Sequence, residues 1–163
     1  MKAIVAVYHT HDNDQWGIGA NGTQPIVLSA DRAFFRQTTK GHPVIVGYRT
    51  FLDFPNQQPL PGRRNIVLTR QNITISGAEI IHSVNDLPLE ELQDAFVIGG
   101  ASIYKQLLPL CEEIYLTHIY KDINPDVFFP NISLDTCWES TIINTGREND
   151  IEFKIEKLIK KKE

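Results

Sequence analysis

The chain has 163 residues, of which 42% are hydrophobic and 22% are charged, with a formal net charge of −4. This length and composition exclude a disordered chain and a pair of domains with separate cores, so we expect a single domain over residues 1–163. The negative charge argues against a nucleic-acid partner, because such binding depends mainly on Lys and Arg side chains that neutralise phosphates.

Short apolar runs rich in β-branched residues, each bounded by turn residues, predict a series of strands. Some are apolar at consecutive positions, as in Val44-Ile45-Val46, which is typical of parallel strands covered on both faces. With helices between them, these strands predict a three-layer α/β domain. The predicted strands are Ala3–Tyr8, Pro43–Gly47, Asn65–Thr69, Glu79–His82, Ala95–Gly99 and Glu113–Ile119.

Helices are predicted in the intervals between the strands, where capping residues precede periodic apolar positions. Ser29 is suited to cap a helix that runs to about Lys40. Ser83 is suited to cap a shorter helix that ends before Asp94. A further helix is predicted over residues 101–110.

The end of the chain predicts an antiparallel hairpin at the edge of the sheet. Apolar residues alternate at Ile151, Phe153 and Ile155, and the segment Thr141–Asn144, which contains two isoleucines, precedes them. The residues between these two runs are mostly polar and include Gly146, as expected of a turn.

Residues 9–25 form a long connection without convincing periodicity. The segment Trp16-Gly17-Ile18-Gly19 combines apolar anchors with a permissive backbone. Loops of this length in compact domains are commonly functional. We therefore expect residues 9–25 to form a lid that closes over a ligand and reopens.

The sequence gives no indication of export, membrane insertion or metal binding. Its two cysteines, Cys111 and Cys137, are too few for a disulfide framework, which indicates a reducing, cytoplasmic location. No apolar run is long enough to span a membrane. The histidines and cysteines show no pair at metal-ligand spacing, so no metal site is expected.

Asp31 is the first candidate for chemistry. At helical spacing it shares a face with Phe34 and Phe35, so an inward-turned face would hold the carboxyl group in apolar surroundings. Its pKa would then be raised, and it would bind one polar ligand. The alternative is that Asp31 only interacts favourably with the helix dipole in the first turn.

Phosphate-binding candidates follow three predicted strands. Gly99-Gly100 lies between a strand and a helix start, where a backbone can approach a phosphate closely, although such pairs also occur in plain tight turns. Arg49-Thr50 and Arg70 each follow a strand, at the edge where open α/β sheets bind ligands. The alternative for these arginines is a solvated surface position.

The turn over residues 58–65 contains two prolines that stiffen it. A stiff turn holds a guanidinium group in place for a carboxylate ligand, and Arg63 and Arg64 are both available there. Two exposed charges on a turn are the alternative.

Taken in order, these segments resemble the dihydrofolate reductase family over nearly the whole chain. The resemblance implies a mainly parallel eight-stranded sheet with an antiparallel C-terminal edge hairpin and about four flanking helices, in a monomer. The matching segments are Ile4-Val5-Ala6-Val7, Ile18-Gly19, Ser29-Ala30-Asp31, Pro43-Val44-Ile45-Val46-Gly47, Pro59-Leu60-Pro61-Gly62-Arg63, Val97-Ile98-Gly99-Gly100-Ala101, Leu116-Thr117-His118 and Asp126-Val127-Phe128-Phe129-Pro130.

The resemblance also implies an enzyme of one-carbon metabolism and an antifolate target. It would reduce 7,8-dihydrofolate to 5,6,7,8-tetrahydrofolate by hydride transfer from NADPH to C6 of the pterin. Asp31 and Thr117 are the implied catalytic residues, with Thr117 supporting the acid. The implied substrate-binding residues are Val5, Leu28, Asp31, Phe35, Leu60, Arg63, Ile98 and Thr117.

NADPH and dihydrofolate are the only partners that the resemblance implies. Arg63 would pair with the α-carboxylate of the glutamate tail, and the arginines near the adenosine phosphates would favour NADPH over NADH. The implied cofactor-binding residues are Val7, Ile18, Gly19, Arg49, Thr50, Arg70, Gly99, Gly100, Ala101 and Ser102.

Two other functions remain open at this point. The pyrimidine reductases of riboflavin synthesis share the implied fold and cofactor, although Asp31 with Phe35 and the Pro61-Gly62-Arg63 turn favour folate. A folate- or nucleotide-binding homologue without catalysis is the second, because Ile26 stands where the family nearly always has Trp.

Overall fold

The computed structural model describes residues 1–12 and 15–162, which form an α/β fold with ten strands, three α-helices and four short 3-10 segments. The chain divides into two compact units. The first contains Met1–Ala3 and Arg36–Cys111, and the second contains Ile4–Phe35 and the chain from Glu112 onward. The single-domain organisation, the three layers and the count of about four helices stay predictions.

The first unit is built on parallel strands, as the sequence predicts. Their hydrogen-bonded order is β5-β4-β3-β6, with the first residues of β1 beside β6. Every residue of β3 and β4 is buried, which explains their consecutive apolar positions. The strands are β1 (Lys2–His9), β3 (Val44–Gly47), β4 (Asn65–Leu68), β5 (Ala78–Ile81) and β6 (Phe96–Gly99).

The helices of the first unit differ from the prediction between Ser83 and Asp94. Instead of one helix, this interval contains the 3-10 segments Val84–Asp86 and Leu89–Glu91. Pro88 lies between them and has no N–H to donate, so a continuous helix cannot form there. Ser83 nevertheless caps the first segment, since its Oγ accepts a hydrogen bond of 3.2 Å from the backbone N–H of Asn85.

The remaining helical segments of this unit are two α-helices and two 3-10 segments. Helix α2 (Tyr48–Phe51) follows β3 directly and is too short to be predicted from periodicity. Helix α3 (Ala101–Leu107) follows β6 and continues as the 3-10 segment Leu108–Leu110. The predicted helix over residues 101–110 is therefore α-helical only in its first part. The fourth 3-10 segment is Pro55–Gln57.

The second unit is mostly antiparallel. Strands β1, β7, β10 and β9 are neighbours in that order, and β9 and β10 form the hairpin that the sequence predicts. The hairpin turn is Asn149-Asp150, where both residues have positive φ. The strands are β2 (Trp16–Gly19), β7 (Glu113–Ile119), β8 (Val127–Phe129), β9 (Trp138–Glu148) and β10 (Ile151–Lys160).

Strands β2 and β8 raise the count above the eight that the family resemblance implies. Strand β2 lies within the expected lid and pairs antiparallel with β1 and β8. Strand β2 contains two glycines, which are unfavourable in strands, so it is not predicted from residue propensities. Gly17 is required there because a Cβ at this position would overlap Pro125. Residues 13 and 14 of the expected lid lie outside the described residues.

Helix α1 (Ser29–Thr39) contacts one face of the antiparallel strands through its first half. The core on this face contains Tyr8, Leu28, Ile119, Phe153 and Ile155, with Ala30 and Phe34 of α1 packed against it. Because side chains alternate along a strand, His118 of β7 and Glu156 of β10 project from the opposite face. No helix among the described residues is long and apolar enough to cross a membrane.

Candidate active site

Asp31 lies in the first turn of α1 and is half-buried. The hydroxyl of Thr117, a buried residue of β7, donates a hydrogen bond to its carboxyl group. Burial raises the pKa of Asp31, and the Thr117 hydrogen bond opposes this only in part. A helix dipole acting alone would lower this pKa, so the raised value favours the interpretation of Asp31 as a buried acid.

Tyr8 is a neighbour of Asp31 that no sequence signal marks as part of the site. Burial raises the pKa of Tyr8, and the charge of Asp31 raises it further. The Tyr8 hydroxyl donates a hydrogen bond to the carbonyl of Ile26. Ile26 itself packs against the core that contains Tyr8 and Leu28, so the side chain that replaces the family's Trp is integrated in this core.

Glu148 holds the start of the helix that carries Asp31. Its carboxylate accepts hydrogen bonds from the backbone N–H and the hydroxyl of Ser29, both at 2.7 Å, and from the N–H of Ala30 at 3.1 Å. The hydrogen bonds from Ser29 and Ala30 lower the pKa of Glu148. Ser29 thus donates to an acceptor on strand β9, whereas the sequence predicts that Ser29 is itself the cap. Glu148 lies 119 residues away from Ser29, and no local signal predicts it.

The other predicted residues of the second unit lie on three elements. Val5 and Val7 are buried in β1, and Phe35 is half-buried in α1. Ile18 and Gly19 lie in β2. The structure brings Asp31 and Thr117 together and places Leu28 in the core with Tyr8, whereas Val5 and Val7 are not members of that core.

The predicted phosphate turn of the first unit joins β6 to α3. Gly99 has a φ of 126°, a conformation that favours glycine. A Cβ at Gly100 would lie 3.0 Å from Oγ1 of Thr50, so a larger residue would require the Thr50 side chain to shift. The structure therefore brings Thr50, Gly99 and Gly100 together, and Ala101 and Ser102 begin α3.

Arg49 and Arg70 follow neighbouring parallel strands. Gly47 of β3 pairs with Leu68 of β4, so the chain leaves both strands at the same sheet edge. Both arginines are exposed, and neither has an ion-pair partner within residues 1–12 and 15–162. The predicted placement of these two residues is confirmed at the level of the backbone, and their role stays a prediction.

Arg63 and Arg64 are adjacent but differ in their partners. The Arg63 guanidinium donates to Oγ1 of Thr39 at 3.0 Å and to the carbonyl of Pro61 at 2.7 Å, and it has no acidic partner in the described part of the chain. Burial and the nearby charge of Arg36 lower the pKa of Arg63. Arg64 instead pairs with Glu79 at 2.6 Å and with Glu91 at 3.0 Å. Of these two arginines, Arg63 is thus the one whose positive charge stays available for a carboxylate ligand.

The turn that carries these arginines is fixed by Asn65. Its buried side chain accepts from the N–H of Leu60 and donates to the carbonyls of Leu60 and Arg63, each at 2.9 Å. Leu60 is half-buried beside this network. Ile98 lies in β6 and packs against the core formed by Val46, Phe51 and Val67.

A family model described as dihydrofolate reductase matches residues 3–160. The chain belongs to the dihydrofolate reductase family. A dihydrofolate reductase of Neisseria gonorrhoeae is 41% identical over 118 residues, which cover 71% of this chain and 72% of that protein. One from Staphylococcus haemolyticus is 33% identical over 136 residues, or 82% and 80% of the two chains. Dihydrofolate reductase type 3 of Salmonella typhimurium is 35% identical over 136 residues, or 82% of each chain.

Membership of the dihydrofolate reductase family bears out the predicted resemblance and brings a nicotinamide cofactor with it. It also favours folate over the pyrimidine substrates that the sequence alone left open. Within the described residues, no group of three or more His, Cys, Asp or Glu side chains is arranged to hold a metal ion.

Proposed function

We propose that this protein reduces 7,8-dihydrofolate to 5,6,7,8-tetrahydrofolate with NADPH as its cofactor. The observation that carries the proposal is Asp31, a half-buried carboxyl group with a raised pKa and no cationic partner among the described residues. Such a group is poised to bind a polar ring and to take part in proton transfer.

Asp31 and Thr117 act on the pterin end of the substrate. The Asp31 carboxyl group accepts a hydrogen bond from the pterin, and the Thr117 hydroxyl fixes its orientation. Asp31 favours protonation at N5 through its charge and through a proton relayed by water. Val5, Leu28, Phe35, Leu60 and Ile98 enclose the apolar parts of the substrate and exclude bulk water.

Bound NADPH supplies the hydride for C6 of the pterin. The close approach of Thr50 to Gly100 supports a cradle in which the backbone of residues 99–102 faces the pyrophosphate. Arg49 and Arg70 lack acidic partners and are suited to a 2′-phosphate, so they favour NADPH over NADH. Val7, Ile18 and Gly19 would line the part of the site that binds the nicotinamide ring.

Arg63 pairs with the α-carboxylate of the glutamate tail. Its guanidinium is oriented by the neutral acceptors Thr39 and Pro61, so its charge is not neutralised by the protein. An arginine oriented in this way forms a charge-assisted pair with a carboxylate at small entropic cost.

The enzyme is further proposed to work as a monomer in the cytoplasm, as one domain over residues 1–163. A reducing compartment is supported by the small number of cysteines in the chain, Cys111 and Cys137. Size-exclusion chromatography with light scattering tests the monomer, for which the expected mass is 18.5 kDa.

The reaction is tested by following NADPH absorbance with purified protein. Consumption that requires dihydrofolate, and that is much slower with NADH, is the expected result. Binding of both ligands without consumption would identify a non-catalytic homologue. Turnover of a pyrimidine intermediate of riboflavin synthesis, with none of dihydrofolate, would identify the other reductase.

A further inference from the structure

The second unit contains a cavity of about 320 Å³ on the sheet face opposite α1. Both tryptophans of the chain, Trp16 and Trp138, line it together with Tyr120. His9 and Lys154 also face the cavity. None of these residues is among the proposed substrate- or cofactor-binding residues.

A chain of hydrogen bonds leads from Glu156 to this cavity. The Glu156 carboxylate accepts from Nε2 of His118 and from the hydroxyl of Ser140, both at 2.8 Å. Because a carboxylate only accepts, Nε2 of His118 carries the proton, and in this tautomer Nδ1 of His118 is an acceptor. His9 then donates from Nε2 to that Nδ1 over 2.7 Å.

This chain leaves Nδ1 of His9 as an acceptor. The atom is buried and has no hydrogen-bond partner among the described residues. Burial, His118 and Lys154 lower the pKa of His9 to about 4, against an opposing effect of Glu156, so the ring is neutral near pH 7. A buried lone pair of this kind requires a donor, which a ligand N–H or O–H group can supply.

Lys154 adds a positive charge beside this acceptor. It pairs across strands with His118, and no acidic side chain lies within ion-pair distance of its ammonium group in the described part of the chain. The two carboxylates that line the cavity are already engaged. Glu156 accepts from His118 and Ser140, and Asp135 accepts from the backbone N–H of Cys137 at 2.9 Å. Lys154 is therefore the group of this lining with which a ligand carboxylate can pair without displacing an existing ion pair.

We propose that this cavity binds a small aromatic acid that carries a phenolic hydroxyl. The hydroxyl donates to Nδ1 of His9, the carboxylate pairs with Lys154, and the ring packs among Trp16, Tyr120 and Trp138. This site is independent of the proposed reductase reaction.

The test uses the full chain at about pH 8, where ordinary histidines are neutral. The probes are the three hydroxybenzoate isomers and their methoxy ethers, which keep the ring and the acid but lack the O–H donor. We expect one hydroxybenzoate to bind at least tenfold more tightly than its ether in calorimetry and to change tryptophan emission. No binding at millimolar concentration, or equal binding of acid and ether, would overturn the proposal.

Matched variants locate the bound acid. His9→Phe and Lys154→Met should each weaken binding at least tenfold, whereas the exposed controls His11→Phe and Lys121→Met should not. Arg63→Ala should leave hydroxybenzoate binding intact. A loss of binding in this variant would show that the acid binds at Arg63 and would refute the new site. If His9→Phe does not fold, the proposal is still tested by Lys154→Met and by the comparison of acid and ether on the unaltered chain.

Discussion

Two carboxyl groups of the second unit, Asp31 and Glu156, lie on opposite faces of the same strands and have opposite pKa shifts. Burial by itself would raise the pKa of both groups. At Asp31 one hydroxyl, that of Thr117, opposes this effect and the pKa stays raised. At Glu156 the donors His118 and Ser140 outweigh it, and the pKa is lowered. Both groups are half-buried, so the number of hydrogen-bond donors that the protein supplies is what distinguishes them. Asp31 has one such donor and can still bind a ligand, whereas Glu156 has two and is structural.

The arginines of the first unit show the same contrast. Arg64 is neutralised by Glu79 and Glu91, whereas the protein supplies Arg63 only with neutral acceptors. Replacing a charged group that lacks partners within the protein is thus expected to affect activity. Replacing one that the protein already pairs is expected to affect stability.

Asp31→Asn should have the largest effect. Turnover at neutral pH should fall by roughly 10²–10⁴-fold, the usual contribution of acid–base catalysis, while NADPH affinity stays nearly unchanged. The raised pKa means that the stabilising contribution of Asp31 is present at low pH and lost as the pH rises through its folded-state pKa. The variant should therefore be at least as stable as the parent at pH 7. Steady-state kinetics and thermal unfolding check both points, and retained turnover would return Asp31 to a helix-dipole role.

Arg63→Ala should raise the Michaelis constant for dihydrofolate tenfold to a hundredfold, since a charge-assisted hydrogen bond contributes about 1.5–3 kcal/mol. Small antifolates without a glutamate tail should bind as before. Arg64→Ala is the matched control, because its charge is already paired. Equal weakening of both ligand types by Arg63→Ala would show that this residue only supports the turn.

Glu156→Gln should lower the free energy of unfolding at pH 7 by about 1–3 kcal/mol, because it removes a charged acceptor from His118 and Ser140. The lowered pKa of Glu156 means that this contribution is present above the ordinary glutamate pKa and lost as the pH falls through the folded-state value. Urea unfolding at several pH values should show parent and variant converging in acid. A constant difference at all pH values would contradict the assignment.

Glu148→Ala should have the smallest effect of the set. It removes the acceptor for Ser29 and Ala30 and loosens the helix start that carries Asp31. The melting temperature should fall slightly, and the Michaelis constant for dihydrofolate should rise less than in Arg63→Ala. Glu152→Ala, which removes an exposed partner of Arg147, is the control and should change neither.

The buried parallel strands were predictable because their sequence signals are local. The six predicted strands of the body of the chain agree with the structure to within one residue at every end, since apolar β-branched runs bounded by turns leave few alternatives. Strand β2 was missed because its two glycines resemble a loop, and the helix after Ser83 was wrong because Pro88 interrupts it.

The site was less predictable because its contacts are long-range. A raised pKa at Asp31 followed from helical spacing, but its pairing with Thr117 came only from the family resemblance. No sequence pattern distinguishes Arg63 from Arg64, since the difference lies in Glu79 and Glu91 on other segments. Tertiary contacts, rather than local propensity, decide which charges remain available.

The central claim is that Asp31 retains a raised pKa because the Thr117 hydrogen bond offsets the effect of burial only in part. A ¹³C NMR titration of the side-chain carboxyl groups measures this directly, with Asp31→Asn and Glu156→Gln used to assign the two resonances. We predict that Asp31 titrates above the ordinary aspartate value of about 3.9 and Glu156 below the ordinary glutamate value of about 4.3. An Asp31 resonance that titrates at or below the ordinary aspartate value would contradict the account.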